Sequence, residues 1–128
     1  MTLADLRPAT REALLRGRAL YDAGRFFEAH EAWEQAWLVE RGEVRAMLQA
    51  LIQVAAGYVK ALRDGRPAGT AKLLEAALAR LLPLPDHLAG VDVARFRREV
   101  GTAAEAARRW RDGGAPCLDG PPPRLEVR

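Results

Sequence analysis

Serine and asparagine are missing from the 128 residues, and isoleucine and cysteine occur once each. A chain so poor in strand-forming side chains argues against a β fold. The one cysteine, Cys117, excludes an internal disulfide and stands in a Pro/Gly-rich tail rather than beside a histidine. Long apolar runs are absent too: none approaches the roughly 20 residues of a membrane span, so no membrane role is expected. The opening "MTLADLRPATRE" holds acidic residues and no apolar core, so no signal peptide is expected and a soluble, cytoplasmic protein is the default. Charge of one sign is also scarce. The net +3 comes from the second half, where residues 65–128 carry eight acids and eleven bases, against nine and nine in residues 1–64. That excess is too mild to predict a nucleic-acid partner.

What fills the chain is alanine, leucine and arginine, its three commonest residue types. All three favour helix. Pro8 suits a first helical turn, and Leu14, Leu15, Ala19 and Leu20 carry the helix to about Ala23, where Gly24 stops it. A second helix runs to about Val39, with Gly42 as a break, and a third from about Glu43 to Arg63. A fourth covers about Pro67 to Leu82 and stops at "PLPDH", where two prolines forbid continuation. The fifth is "VDVARFRREVGTAAEAARRW", with Asp92 as its N-cap and Gly101 as a weak point. Short linkers make neighbours antiparallel. The expected fold is therefore all-α, a single-domain antiparallel bundle of about five helices over residues 1–112, followed by a Pro/Gly-rich tail over residues 113–128.

Chemistry concentrates in "GRFFEAHEAWEQAW", residues 24–37. On a helical projection Phe26, Trp33 and Trp37 share one narrow arc, and Phe27 and Leu38 lie a little further round on the same side. His30 and Glu34 land between these two groups, inside the aromatic arc, whereas Glu28, Glu31 and Gln35 cluster on the wetter side. Ala29, Ala32 and Ala36 form a small-residue face open to close helix approach. At i and i+4 the imidazole and the carboxylate can meet. Three roles are open to them: a structural hydrogen bond that fixes packing, a pair of ligands for a divalent metal ion, or an acid–base pair. "HEAWE" also echoes the zinc-protease pattern with Glu34 in place of its second histidine and Glu31 as base, but no third ligand is evident downstream. His87, after "PLPD", reads as an ordinary surface residue in a loop.

Helix three offers a second wall. Gln49, Gln53 and Lys60 share a stripe bordered by Arg45, Ala46, Ala56 and Gly57, while Met47, Leu48, Leu51, Val54, Tyr58, Val59 and Leu62 form the core side. Such a stripe is usually solvent-facing. If Gln53 faces His30 and Glu34 instead, its amide orients them or touches a ligand.

At these residues the chain resembles a bacterial and archaeal family of small helical proteins of unknown function with the pattern H-x-x-x-E-x-x-(W/Y), here His30, Glu34 and Trp37. "LIQVAAGYVKALRDGRPAGTAKLLEAALARL" and "GVDVARF" resemble its later blocks, so the resemblance spans roughly residues 12–100. It implies metal binding as the suggested role of the motif, with no established activity or substrate. "LYDAGRFFEAHEAWEQAW" also resembles half of a tetratricopeptide repeat, a helical hairpin at helices one and two. No 34-residue repetition follows, so an array is not expected. Glu31, Trp37 and Gln53 are thus the expected lining around His30 and Glu34. The competing function is a non-catalytic helical interaction module for an unknown small molecule or protein, with the pair buried for structure alone. Nucleic-acid binding through Arg95, Arg98, Arg108, Arg109 and Arg111 is the least favoured, since Glu99 and Glu105 balance that helix and no aromatics interleave. The apolar surface of helices three and four, with Trp110 as a clasp or contact, makes a homodimer credible.

Overall fold

The computed structural model describes residues 1–128 except Cys117 and Asp119, so the expectation about the lone cysteine lies outside the described residues. After one 3-10 turn at Leu3–Asp5, Pro8 opens α1 (Pro8–Asp22), its missing N–H costing nothing at a first turn. Gly24, at φ +76°, takes the left-handed conformation that closes α1. Its N–H donates to Tyr21 O at 3.0 Å and the Arg25 N–H donates to Leu20 O at 2.9 Å, the paired bonds of a Schellman turn. The chain then reverses directly into α2 (Phe26–Trp37). α3 (Gly42–Leu62), α4 (Pro67–Leu81) and α5 (Val93–Arg111) follow. Each helix packs mainly on its neighbours in sequence: α1 on α2, α2 on α3, α3 on α4, α4 on α5. The fold is all-α, a small five-helix bundle.

At the centre of the hairpin of α1 and α2 lies one tryptophan. Trp33 is fully buried, and its indole Nε1 donates to Leu14 O at 3.3 Å. It can lie flat on α1 only because residue 17 is glycine, where a Cβ would sit inside the indole ring. At the far end Glu40 accepts from the buried Thr10 hydroxyl at 2.6 Å and pairs with Arg7, which ties the α2–α3 connection to the start of α1. A run of rings links three helices: Tyr21 edge-on to Phe26 at 5.4 Å, and Phe26 stacked on Tyr58 of α3 at 5.2 Å. α3 is the centre of the core, with Met47, Leu48, Leu51, Val54 and Tyr58 buried as the wheel required. Val59, assigned to the same side, is only partly buried, and Leu62, in the last turn of α3, is exposed.

Asp92 caps α5 as expected, its Oδ1 accepting from the Arg95 N–H at 3.0 Å, and the helix runs unbroken through Gly101. The loop after α4 holds a feature with no sequence signal. His87–Leu88 (β1) pairs antiparallel with Val91–Asp92 (β2), so His87 stands in a short strand, exposed all the same. Val127 bridges to Val91, Arg128 N donates to Gly90 O at 2.8 Å, and Leu125 is buried. The buried Tyr21 hydroxyl donates to Pro123 O at 2.6 Å, so the end of the tail is fastened to α1 as well as to the strands. Among the described residues no helix is long and apolar enough to cross a membrane.

Candidate functional site

α2 and α3 run antiparallel, and two contacts set their register. Phe26 meets Tyr58 at one end, and at the other the Arg45 guanidinium lies 4.3 Å over the Trp37 ring. At about 1.5 Å of rise per residue from these fixed points, His30 and Gln53 fall at similar heights on the two helices, as do Glu34 and Gln49.

The pair itself is made. His30 Nε2 lies 3.2 Å from Glu34 Oε2, with side chains 26% and 45% exposed. It is not enclosed by aromatics as the wheel suggested. The buried residues of α2 are Phe26, Ala29, Trp33 and Ala36, so the core direction runs through the alanine face, where α1 approaches closely. This turns Phe27 and Leu38 outward, 49% and 61% exposed, and leaves His30 and Glu34 at the boundary. Phe27 still shields one side, its ring 5.7 Å from the imidazole. Phe27 also walls a shallow groove of about 360 Å³ at the end of α2 and α3, with Tyr58, Val59 and Leu62 opposite.

On α2 and α3 three polar atoms are buried without a hydrogen-bond partner, His30 Nδ1, Trp37 Nε1 and Gln53 Oε1, as is Arg18 Nε on α1. The three on α2 and α3 belong to residues singled out from sequence. Buried donors and acceptors are normally satisfied, so each of these atoms is a point that calls for a water or another polar group. Glu31 is exposed on the solvent side and lines the α1–α2 groove with Arg16, Glu28 and Gln35. Among the described residues no group of three His, Cys, Asp or Glu side chains is assembled.

Sequence inspection missed a second polar network. Glu99 on α5 accepts from Arg95 Nε at 2.9 Å and from the Arg124 backbone N–H at 2.9 Å, while Arg95 also reaches Glu126. Burial alone would raise the Glu99 carboxyl, but these bonds and the nearby guanidinium charges outweigh it and hold it below its ordinary value. Arg108, Arg109 and Arg111 are likewise ion-paired, with Glu75, Glu105 and Asp112, which leaves α5 a balanced face rather than a bare cationic one.

A small all-α unit with one polar constellation on its second helix is what the fold and the geometry define. Residues 14–73, from within α1 to within α4, match the family model of a domain of unknown function, DUF309. His30, Glu34, Trp37 and Gln53 all fall inside it. The chain is 30% identical over 91 residues to an uncharacterised protein of Aquifex aeolicus (strain VF5), covering 69% of this chain and 27% of that protein. Over 47 residues it is 45% identical to histidinol-phosphate aminotransferase of Maricaulis maris (strain MCS10), 37% of this chain and 13% of that enzyme. The chain thus spans a minor part of the length of both relatives.

Proposed function

We propose that α2 carries a site for a divalent metal ion whose protein ligands are His30 and Glu34. The observation that carries this is the 3.2 Å between Nε2 and Oε2. Two ligand atoms held at about 2.1 Å from one ion stand about 3.0 Å apart at a right angle and about 3.4 Å apart at the tetrahedral angle. The pair is therefore already spaced as adjacent ligands. Both side chains are partly exposed, at 26% and 45%, so the pair is not sealed in the core. Inward, a histidine that ligates through Nε2 carries its proton on Nδ1 and needs an acceptor there. Gln53 Oε1, level with it and itself without a partner, supplies one directly or through a water. A metal bound there would polarise an oxygen ligand or lower the pKa of a bound water.

Calorimetric titration with zinc chloride tests the assignment, using the wild type, His30→Ala and Glu34→Gln. Losing a direct ligand is expected to weaken binding by at least about 100-fold, beyond what outer residues usually contribute. Equal affinity in all three proteins would reject the site. A second reading, a docking module, is favoured by the exposure of Phe27 and Leu38 beside the pair. The 47 residues shared with the aminotransferase are too small a part of that enzyme to bring its activity here.

A further inference from the structure

Residues 121–123 of the tail are three consecutive prolines, which neither continue a helix nor donate a backbone hydrogen bond. They are tied down at one end: Pro123 O accepts from the buried Tyr21 hydroxyl, and the next N–H, of Arg124, donates to Glu99 Oε1 on α5. Glu99, Thr102 and Ala103 stand at i, i+3 and i+4 of α5, so they share one face of that helix. Between this face and the prolines lies a cavity of about 210 Å³, walled by Tyr58 of α3, Glu99, Thr102, Ala103, Pro121 and Pro123. None of His30, Glu34 or Gln53 lines it. It is smaller than the roughly 300–1,000 Å³ of pockets for drug-sized ligands, so an occupant has to be small.

We infer that this cavity binds a small primary ammonium carried on a short alkyl chain. The donors and acceptors of its wall decide the class. Glu99 is the only ionised side chain among the described residues that line it. Each Glu99 oxygen accepts one bond, from Arg95 Nε and from the Arg124 N–H, and a carboxylate has about four such places, so two remain. Pro121 and Pro123 bring carbonyls and no N–H. The Thr102 hydroxyl is already spent on Arg98 O at 3.3 Å. Tyr58 is 3% exposed, and its hydroxyl makes no hydrogen bond to a described residue, whereas that of Tyr21 does. Buried hydroxyls are normally satisfied, so this one calls for a partner. Burial pushes the Tyr58 phenol up to about 12, which keeps it protonated and uncharged at neutral pH. The wall is thus richer in acceptors than in donors. A carboxylate or phosphate would meet Glu99 with like charge. An ammonium brings three N–H groups and the opposite charge, and Ala103 with the proline rings gives its alkyl chain an apolar surface.

Calorimetry of the full chain with n-butylammonium chloride, at constant ionic strength in a buffer free of other amines, tests this. The expected result is saturable binding of one molecule per chain, with n-butanol and sodium butyrate at least about tenfold weaker. Ala103→Leu fills the cavity and should weaken butylammonium at least about tenfold. Tyr58→Phe keeps the ring, removes the hydroxyl and should weaken it about threefold to tenfold. Helical circular dichroism should persist in both variants; if the leucine variant loses it, Tyr58→Phe alone decides. No saturable binding by the wild type would overturn the proposal. Equal affinity in wild type and the folded variants would place the ammonium outside the cavity and overturn it as well. Butyrate held as tightly as butylammonium would refute the charge that the site is inferred to select.

Discussion

At Gly17 the backbone of α1 is itself the surface on which an indole rests, and the side chain of Trp33 has no second place to go. Alanine is favoured over glycine inside a helix by about 1 kcal/mol, so propensity alone predicts that Gly17→Ala stabilises. Packing predicts the opposite, because the added methyl would occupy the ring position of a fully buried tryptophan. Overpacking of a tight core costs about 1–3 kcal/mol, and a displaced indole also leaves its N–H without Leu14 O. The packing effect wins, and Gly17→Ala should lower the urea midpoint by an amount worth about 2 kcal/mol. Gly101→Ala is the internal control. There a Cβ would make only ordinary contact with Leu78, at 3.9 Å, so the same exchange should raise stability by up to about 1 kcal/mol. Gln53 is decided at the same scale. If its amide oxygen receives the His30 Nδ1 proton of the metal-bound imidazole, Gln53→Leu should weaken zinc binding by about 10–100-fold without unfolding α3. Unchanged zinc affinity in that variant would assign Gln53 to packing alone.

At the scale of single helices, the sequence showed where each begins and ends but misjudged how one of them is turned. Pro8, Gly24, Pro67 and Asp92 act at backbone level, and the helix limits they imply agree with the structure to within a residue or two. The i, i+4 spacing of His30 and Glu34 also translated directly into contact, since helical geometry alone brings those positions together. The orientation of α2 is another matter. A wheel weighted by bulk points toward the phenylalanines and tryptophans, yet the helix buries Ala29 and Ala36 and exposes Phe27. Close approach to α1 needs small residues, and the gain from packing two backbones near each other around Trp33 outweighs the burial of one more phenyl ring. No periodicity encodes that choice, because it depends on Gly17 in another helix. β1 and β2 were illegible for a simpler reason: two residues per strand carry no period, and their pairing with Val127 comes from backbone groups that are alike in every residue. The unpartnered atoms of Trp37 and Gln53 could be suspected from their neighbours but not established, as burial of a single atom depends on the register of α2 against α3.

For the molecule as a whole, the carboxyl of Glu99 joins parts that are distant in sequence. It takes the Arg124 N–H of the tail and the Arg95 guanidinium of α5, while Arg95 and Glu126 extend the link toward Val127, which bridges to Val91. The tail's hold on the helical body therefore depends partly on one ionised group. Its folded-state pKa is lowered from an ordinary value of 4.5, so the charged form is favoured by folding. The sign follows from linkage: a depressed carboxyl contributes stability above its unfolded pKa and loses that contribution as pH falls through the folded value. Glu99→Gln keeps the shape and an acceptor oxygen but removes the charge. At neutral pH the variant should unfold at a lower urea concentration than the wild type. Below about pH 4.5 the difference should shrink, because the wild-type carboxyl becomes neutral as well, and it should vanish once the pH lies beneath the folded-state value. Urea midpoints by circular dichroism from pH 7 to about pH 3 give the comparison. A gap that stays constant across the range would mean that Glu99 acts by shape and hydrogen bonding alone. A gap that closes with acid means that the ionised carboxylate is what fastens the C-terminal tail to α5.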